Sequence, residues 1–262
     1  MKLPSDFRQR VLAREWLCGT FLNLGSPVTT EIAGLAGFDW VLIDHEHGPG
    51  GEDTLLHQLH AIGSTPAFPV VRVAANEAPR FKRVLDQGAF GVMVPYVNSA
   101  AEAQAAVNAM RYPPRGIRGV AKFNRGAAYG NDFDEYFAHA HERILAVIQI
   151  ETPAAVAAVD DIAAVDGADV VFVGPTDLSY NMGIPNQLQS DAFKDAMRRV
   201  CAAARRHGKA AGILVHSPEL VPMCRELGYT FVALGSDGGG VRAALLSYAA
   251  ALRQGAPGPA GR

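Results

Sequence analysis

Four ionisable residues stand in a row at Asp44-His45-Glu46-His47, directly after the apolar run Trp40-Val41-Leu42-Ile43 and before Gly48-Pro49. A buried run seldom ends in so many charges without a use, because each charge has to be desolvated. Imidazole titrates near neutral pH, so His45 or His47 can serve as base or as ligand; the alternative is a polar turn with two incidental histidines. Arg72 interrupts the apolar stretch Val70-Val71-Arg72-Val73. Arginine is rarely buried unpaired, so it either bonds a carboxylate or stabilises a developing oxyanion. Gln149 and Glu151, two positions apart before Thr152-Pro153, share one side of a strand. A second carboxylate follows the next strand, in Gly174-Pro175-Thr176-Asp177. Two hard carboxylates at neighbouring strand ends suit Mg²⁺ or Mn²⁺ completed by substrate and water. The other reading is that each caps the helix after it. The backbone N–H groups of Thr176 and Asp177 open a helix and offer a seat for a substrate carboxylate.

Such residues need elements to bring them together. Eight short apolar runs read as strands: Leu17–Leu22, Trp40–Asp44, Phe68–Val73, Gly91–Val97, Leu145–Ile150, Asp169–Val173, Ala210–Val215 and Phe231–Leu234. Their interiors are continuous rather than alternating, as parallel strands buried on both faces are. Helical spacing lies between them, at Asp53–Ile62, Ala78–Gln87, Ala100–Met110, Pro153–Val165, Asp191–His207, Pro218–Leu227 and Gly240–Leu252. Ser99, Thr152 and Ser217 stand at helix starts, and Gly88, Gly208 and Gly228 at helix ends. Eight βα units in about 250 residues predict a (β/α)8 TIM barrel, with an open doubly wound sheet as the alternative. In a barrel the chemistry gathers where strands end, which is where the residues above fall.

The 262 residues carry 24 Lys+Arg against 26 Asp+Glu, without the basic footprint of a nucleic-acid binder. At 49% hydrophobic and 19% charged, the chain is neither disordered nor fibrous. No apolar run is long enough for a membrane span. Three distant cysteines, with no secretion-type leader in view, fit a cytoplasmic protein. The expected division is one barrel over residues 1–253 and a loose tail over 254–262. One connection is overlong: Tyr112 to Tyr136 runs through Arg115, Arg118, Lys122 and Arg125 and suits an anionic ligand or a subunit contact. The Gly-rich stretch Gly235–Gly240 lacks dinucleotide or Walker spacing, and no organic cofactor is expected. His216 ends a strand and can line the mouth; the remaining histidines read as surface residues. No Lys stands at a strand end, which points away from amine catalysis.

The segments GFDWVLIDHEHGP, PVVRV, RYPPRGIRGV, VIQIETPAAV, VFVGPTDLS, GILV and FVALGSD resemble the HpcH/HpaI aldolase family, from Phe7 to Leu252. The likeness is greatest to its class II, metal-dependent pyruvate aldolases. It implies a barrel of the phosphoenolpyruvate/pyruvate type that cleaves 4-hydroxy-2-oxo acids to pyruvate or hydroxypyruvate and an aldehyde. It also implies His47 as base, Asp44 as its supporting carboxylate and Arg72 as enolate stabiliser. Gln149 would contact substrate, and Gly174, Thr176 and Asp177 would seat the pyruvate carboxylate. Glu151 and Asp177 would hold a divalent metal (Mg²⁺ or Mn²⁺, with Co²⁺ or Zn²⁺ as variants). Asp86 would raise the basicity of the histidine. A homohexamer, a trimer of dimers with exchanged C-terminal helices, is implied as well. Two departures stand out. His45 replaces the usual glycine and would put a second imidazole in the mouth. Asp86 falls at a helix end on the far face, so either it acts from a neighbouring subunit or the helix ends elsewhere. CoA-thioester lyases and oxaloacetate decarboxylases share this barrel and remain alternatives.

Overall fold

The computed structural model describes residues 6–254. Its eight parallel strands are β1 (Leu17–Leu22), β2 (Trp40–Asp44), β3 (Phe68–Arg72), β4 (Gly91–Val94), β5 (Leu145–Ile150), β6 (Val170–Val173), β7 (Ala210–Val215) and β8 (Phe231–Ser236). They pair in chain order and close, β8 onto β1, into the (β/α)8 barrel. The helices are α1 (Phe7–Leu12), α2 (Pro27–Leu35), α3 (Glu52–Ile62), α4 (Ala78–Asp86), α5 (Ala100–Met110), α6 (Phe133–Arg143), α7 (Pro153–Ala157), α8 (Val159–Ala164), α9 (Pro175–Asn181), α10 (Asp191–Arg206), α11 (Val221–Leu227) and α12 (Asp237–Gln254).

Strand parity decides what faces inward. Leu17, Phe21, Trp40, Leu42, Phe68, Val70, Leu145, Val147, Val170, Phe172, Phe231 and Ala233 belong to one interior cluster. The alternate residues, such as Val41, Ile43, Val71, Ile148, Val171 and Ile213, pack with Leu59, Phe81, Val107, Ile162 and Val200 of the helices. Glycine serves the interior at two rungs. A Cβ on Gly19 would stand 2.2 Å from the Trp40 ring, and one on Gly212 would stand 2.4 Å from Phe172. That room lets Trp40 stack on Phe231 at 3.9 Å between ring centres. α1 closes the lower end, where Phe7 stacks on Phe68 at 4.2 Å. Each such buried ring contributes roughly 1.5–3 kcal/mol.

Several details differ from the sequence expectations. The helix expected over Pro153–Val165 is broken at Ala158 into α7 and α8. β4 ends at Val94 rather than Val97, which frees Tyr96 for the loop above it. α1, α2, α6 and α9 add helices; α9 is a single short one of 7 residues, too brief to show periodicity. α12 runs to Gln254, so that residue belongs to the helix and not to a tail. Residues 255–262 of the expected tail lie outside the described residues. The overlong connection before β5 lies across the lower end, with Arg125 donating to the carbonyls of Gln87 and Leu59 below the helices α4 and α3. Among the described residues no helix is long and apolar enough to cross a membrane.

Candidate active site

Following each inward row one step further up the barrel leads to the chemistry. Trp40 and Leu42 are followed by Asp44, Phe68 and Val70 by Arg72, Leu145 and Val147 by Gln149 and then Glu151. The same rule reaches Gly174 above Phe172. These residues line a cavity of about 310 Å³ at the upper mouth, together with Phe21, Asn23, His47, Pro175, Thr176, Asp177, Leu214, His216 and Ser236. Eight of the nine residues to which the family resemblance gives a role therefore share one cavity. Asp86 does not.

Arg72 is the hub of one side. Its Nε and Nη2 donate to the two oxygens of Asp44 at 3.0 and 2.7 Å. Its Nη1 lies 2.8 Å from Glu46 Oε2, in ion-pair contact but off the hydrogen-bond direction. Asp44 Oδ1 also accepts from the backbone N–H groups of Glu46 and His47, at 3.0 and 3.3 Å. Asp44 thus shapes the turn that carries His47; it touches that residue through the backbone, not through the ring. Burial alone would raise the Asp44 carboxyl, but hydrogen bonds and charge from Arg72 outweigh it and hold the carboxyl below the usual range. Burial pushes the Glu46 carboxyl up against the opposing pull of Arg72.

The two histidines of this turn separate. His47 is exposed at the cavity rim, its Nε2 3.8 Å from Glu46 Oε2. His45 does not line the cavity. Its Nε2 is buried with no hydrogen-bond partner among the described residues, and burial lowers its pKa. The second imidazole expected in the mouth is turned away from it, because successive residues on a strand end face opposite sides.

Glu151 is the most confined carboxylate of the cavity, 1% exposed. Its Oε1 accepts from Gln149 Nε2 at 3.1 Å and its Oε2 from the Tyr96 backbone N–H at 2.8 Å. Burial is the main cause that pushes its carboxyl up to about 7; the charges of Glu46 and Asp177 add to this, while Tyr96 and Arg72 oppose it. The Tyr96 hydroxyl donates to Asp177 Oδ1 at 3.0 Å. Neither carboxylate is a helix N-cap. Thr152 caps α7 by accepting from Ala155 N–H, and Asp177 sits in the first turn of α9, which has no side-chain cap.

This donor set fits a divalent cation. Gln149 Oε1 is buried with no partner among the described residues. Glu151 and Asp177 bring carboxylate oxygens to the same cavity, and the strained protonation of Glu151 is what a cation would relieve. Gly174 keeps that carboxylate's place open, since a Cβ there would stand 2.4 Å from Glu151 Oε1. Among the described residues no group of three or more His, Cys, Asp or Glu side chains gathers as a cation cage. Two carboxylates with further positions for substrate and water suit a hard ion such as Mg²⁺ better than a closed cage would.

Asp86 ends α4 at the lower end of the barrel, where it pairs with Arg118 at 2.8 Å. Arg118 is itself buried against the rings of Tyr112 and Tyr136, with a guanidinium–ring distance of 4.4 Å to Tyr112. Within one chain neither residue reaches the mouth, and Arg118 is committed to packing rather than open to a ligand. Asn23, Tyr96 and Ser236 were not among the sequence candidates. Asn23 obeys the parity of Phe21, a signal that strand counting alone could supply. Tyr96 has no such signal, because its role follows from a left-handed backbone, φ 51°.

Known proteins resemble this chain over most of its length. The family model HpcH/HpaI aldolase/citrate lyase matches residues 17–244. The 5-keto-4-deoxy-D-glucarate aldolase of Salmonella paratyphi C is 40% identical over 240 residues, covering 92% of this chain and 93% of that protein. The crystal structure of an HpcH/HpaI aldolase/citrate lyase family protein from Burkholderia cenocepacia superposes with a TM-score of 0.91 at 35% identity, covering 95% of this chain and 99% of that one. The citrate synthase SbnG superposes with a TM-score of 0.84 at 29% identity, over 95% of this chain and 97% of its own. The chain therefore belongs to the HpcH/HpaI aldolase/citrate lyase family, and it is a carbon–carbon lyase of the aldolase kind carried on a (β/α)8 barrel.

Proposed function

We propose that the protein is a class II aldolase that reversibly cleaves 4-hydroxy-2-oxo acids to pyruvate, or hydroxypyruvate, and an aldehyde. The single observation that carries this reading is the pairing of a confined carboxylate, Glu151, with Asp177 opposite the buried cation Arg72 in one cavity. The first substrate to test is 5-keto-4-deoxy-D-glucarate, by analogy with the Salmonella relative. Its aldol cleavage leaves pyruvate and a three-carbon hydroxy-aldehyde acid.

Glu151 and Asp177 would hold a divalent cation, Mg²⁺ or Mn²⁺ by their hard oxygen donors, whose chemistry when bound is Lewis-acid polarisation of the 2-oxo acid. The first-turn N–H groups of Thr176 and Asp177, which have no intrahelical partner, receive the substrate carboxylate beside Gly174. Gln149, with its orphaned oxygen in the same wall, contacts the substrate. His47 takes the proton from the C4 hydroxyl as the C3–C4 bond breaks, and the electron pair passes to the 2-oxo oxygen. Arg72 stabilises the negative charge that develops there. Asp44 holds both partners, the guanidinium through two hydrogen bonds and His47 through its backbone. His47 then returns that proton to C3, which completes pyruvate; in reverse it removes a methyl proton. The aldehyde half occupies the arc of β7, β8 and β1, where Leu214, His216, Ser236, Phe21 and Asn23 line the cavity.

A homohexamer and a cytoplasmic address belong to the same reading. α12 has no buried residue, and Leu245, Leu246 and Leu252 on it are exposed, as are Val28 and Ile32 of α2. Such a surface on two neighbouring helices supports an exchanged helix from a partner copy. The cysteines Cys18, Cys201 and Cys224 are unpaired. The decisive experiment measures pyruvate release from 5-keto-4-deoxy-D-glucarate before EDTA, after it, and after Mn²⁺ or Mg²⁺ is restored. Activity that is lost and regained supports the reading; full activity in EDTA sinks its cation, and release of no pyruvate from any 4-hydroxy-2-oxo acid sinks the aldol assignment.

A further inference from the structure

Tyr96 touches both carboxylates of the site with different parts of itself. Its backbone N–H donates to Glu151 Oε2 at 2.8 Å, and its phenolic hydroxyl donates to Asp177 Oδ1 at 3.0 Å. Glu151 lies at the end of β5 and Asp177 in the first turn of α9, so this one residue of the loop after β4 spans two neighbouring βα connections. The backbone at Tyr96 is left-handed, φ 51°, a conformation that costs energy for any residue with a Cβ. Strain of this kind persists only where surrounding contacts hold it, and it collects at functional sites. Here the contacts are visible. Asn98 Nδ2 donates to the Tyr96 carbonyl at 3.0 Å, and the Asn98 N–H is bound by Glu102 at 2.6 Å. The amide of Tyr96 is thereby aimed at Glu151. The far end of α9 joins in, because Asn181 Nδ2 donates to the Glu151 carbonyl at 3.0 Å.

We infer that Tyr96 is a positioning residue for the carboxylate pair: its left-handed amide orients Glu151 and its hydroxyl orients Asp177, so that divalent-cation affinity depends on Tyr96. This rests on the reading that Glu151 and Asp177 hold the cation. The hydroxyl occupies Asp177 Oδ1 and the amide occupies Glu151 Oε2, while Glu151 Oε1 is held by Gln149. Partners of this kind, which hold ligands without touching the ion, typically govern affinity by about 10–100-fold.

The test uses the full chain stripped with EDTA and titrated with Mn²⁺ alone, the free ion being read by electron paramagnetic resonance. Tyr96→Phe keeps the ring and the amide but removes the hydroxyl. It is expected to weaken Mn²⁺ binding about tenfold, with the melting temperature of the stripped protein unchanged. Asp177→Asn is expected to weaken binding more. In the double variant Tyr96→Phe/Asp177→Asn the hydroxyl has lost the carboxylate it orients, so no further loss of affinity should appear beyond Asp177→Asn. Wild-type affinity in Tyr96→Phe, or losses that add in the double variant, would overturn the role of Tyr96 while leaving the cation site standing. Wild-type affinity in both Asp177→Asn and Glu151→Gln would overturn the cation site and the role of Tyr96 with it.

Discussion

Asp44 and Arg72 are register partners on the last shared rung of β2 and β3, and the guanidinium closes on the carboxylate through two hydrogen bonds of 3.0 and 2.7 Å. Both side chains are buried; Arg72 is the ion-pair partner of Asp44, while Arg72 also has Glu46 beside it. Arg72→Ala is expected to fail in two separable ways. Loss of the charge opposite the developing oxyanion should lower kcat by about 10²–10³. Loss of the partner leaves Asp44 buried and unpaired, which should destabilise the fold by about 3–5 kcal/mol. Steady-state kinetics and urea unfolding read the two effects apart. Arg72→Lys keeps the charge without the planar fork and should recover stability better than activity.

The two imidazoles after β2 offer a contrast within one turn. His47 lines the cavity and His45 does not. Exchange of the pyruvate methyl protons with deuterium, followed by NMR, should collapse in His47→Ala and stay within a few-fold of wild type in His45→Ala. Native exchange in His47→Ala would remove it as the base.

Gly174 tests the space beside the carboxylates. The added Cβ of Gly174→Ala meets Glu151 Oε1 at 2.4 Å, against a carboxylate already held by Gln149 and Tyr96. The carboxylate has to move. Mn²⁺ affinity and activity should both fall by at least tenfold while circular dichroism stays native. Unchanged Mn²⁺ affinity would show that Glu151 does not hold the ion.

The raised carboxyl of Glu151 makes the chelated protein pH-sensitive. Its folded pKa of about 7 exceeds the ordinary 4.5, so the folded state binds the extra proton between those values. Stability is then greatest below about 4.5 and declines as pH rises toward 7, by at most about 3 kcal/mol from this group. Denaturant midpoints measured in EDTA from pH 5 to 8 should show the decline, and Glu151→Gln should flatten it. A wild-type profile no steeper than that of Glu151→Gln would contradict a buried, proton-holding carboxyl.

Much of this molecule is legible in one dimension, because strand parity is local. Trp40-Leu42-Asp44, Phe68-Val70-Arg72 and Leu145-Val147-Gln149 each carry their own inward row, and continuous apolar strands between helices already imply a parallel barrel with its chemistry at the strand ends. The residue types at those ends then narrow the chemistry to carboxylates, an imidazole and a guanidinium. What lies across strands is another matter. That Asp44 meets Arg72 depends on the β2–β3 register, and that Asp86 is spent on Arg118 at the lower end depends on how the long connection folds back. Strand alternation already turns His45 away from the cavity, but what the Tyr96 amide meets depends on Glu151 arriving from another strand end. The sequence by itself determined the barrel, its inward rows and the residues at its mouth. Only the tertiary structure decided which of them touch, because those contacts are made by register, closure and strained backbone rather than by any residue's own preference.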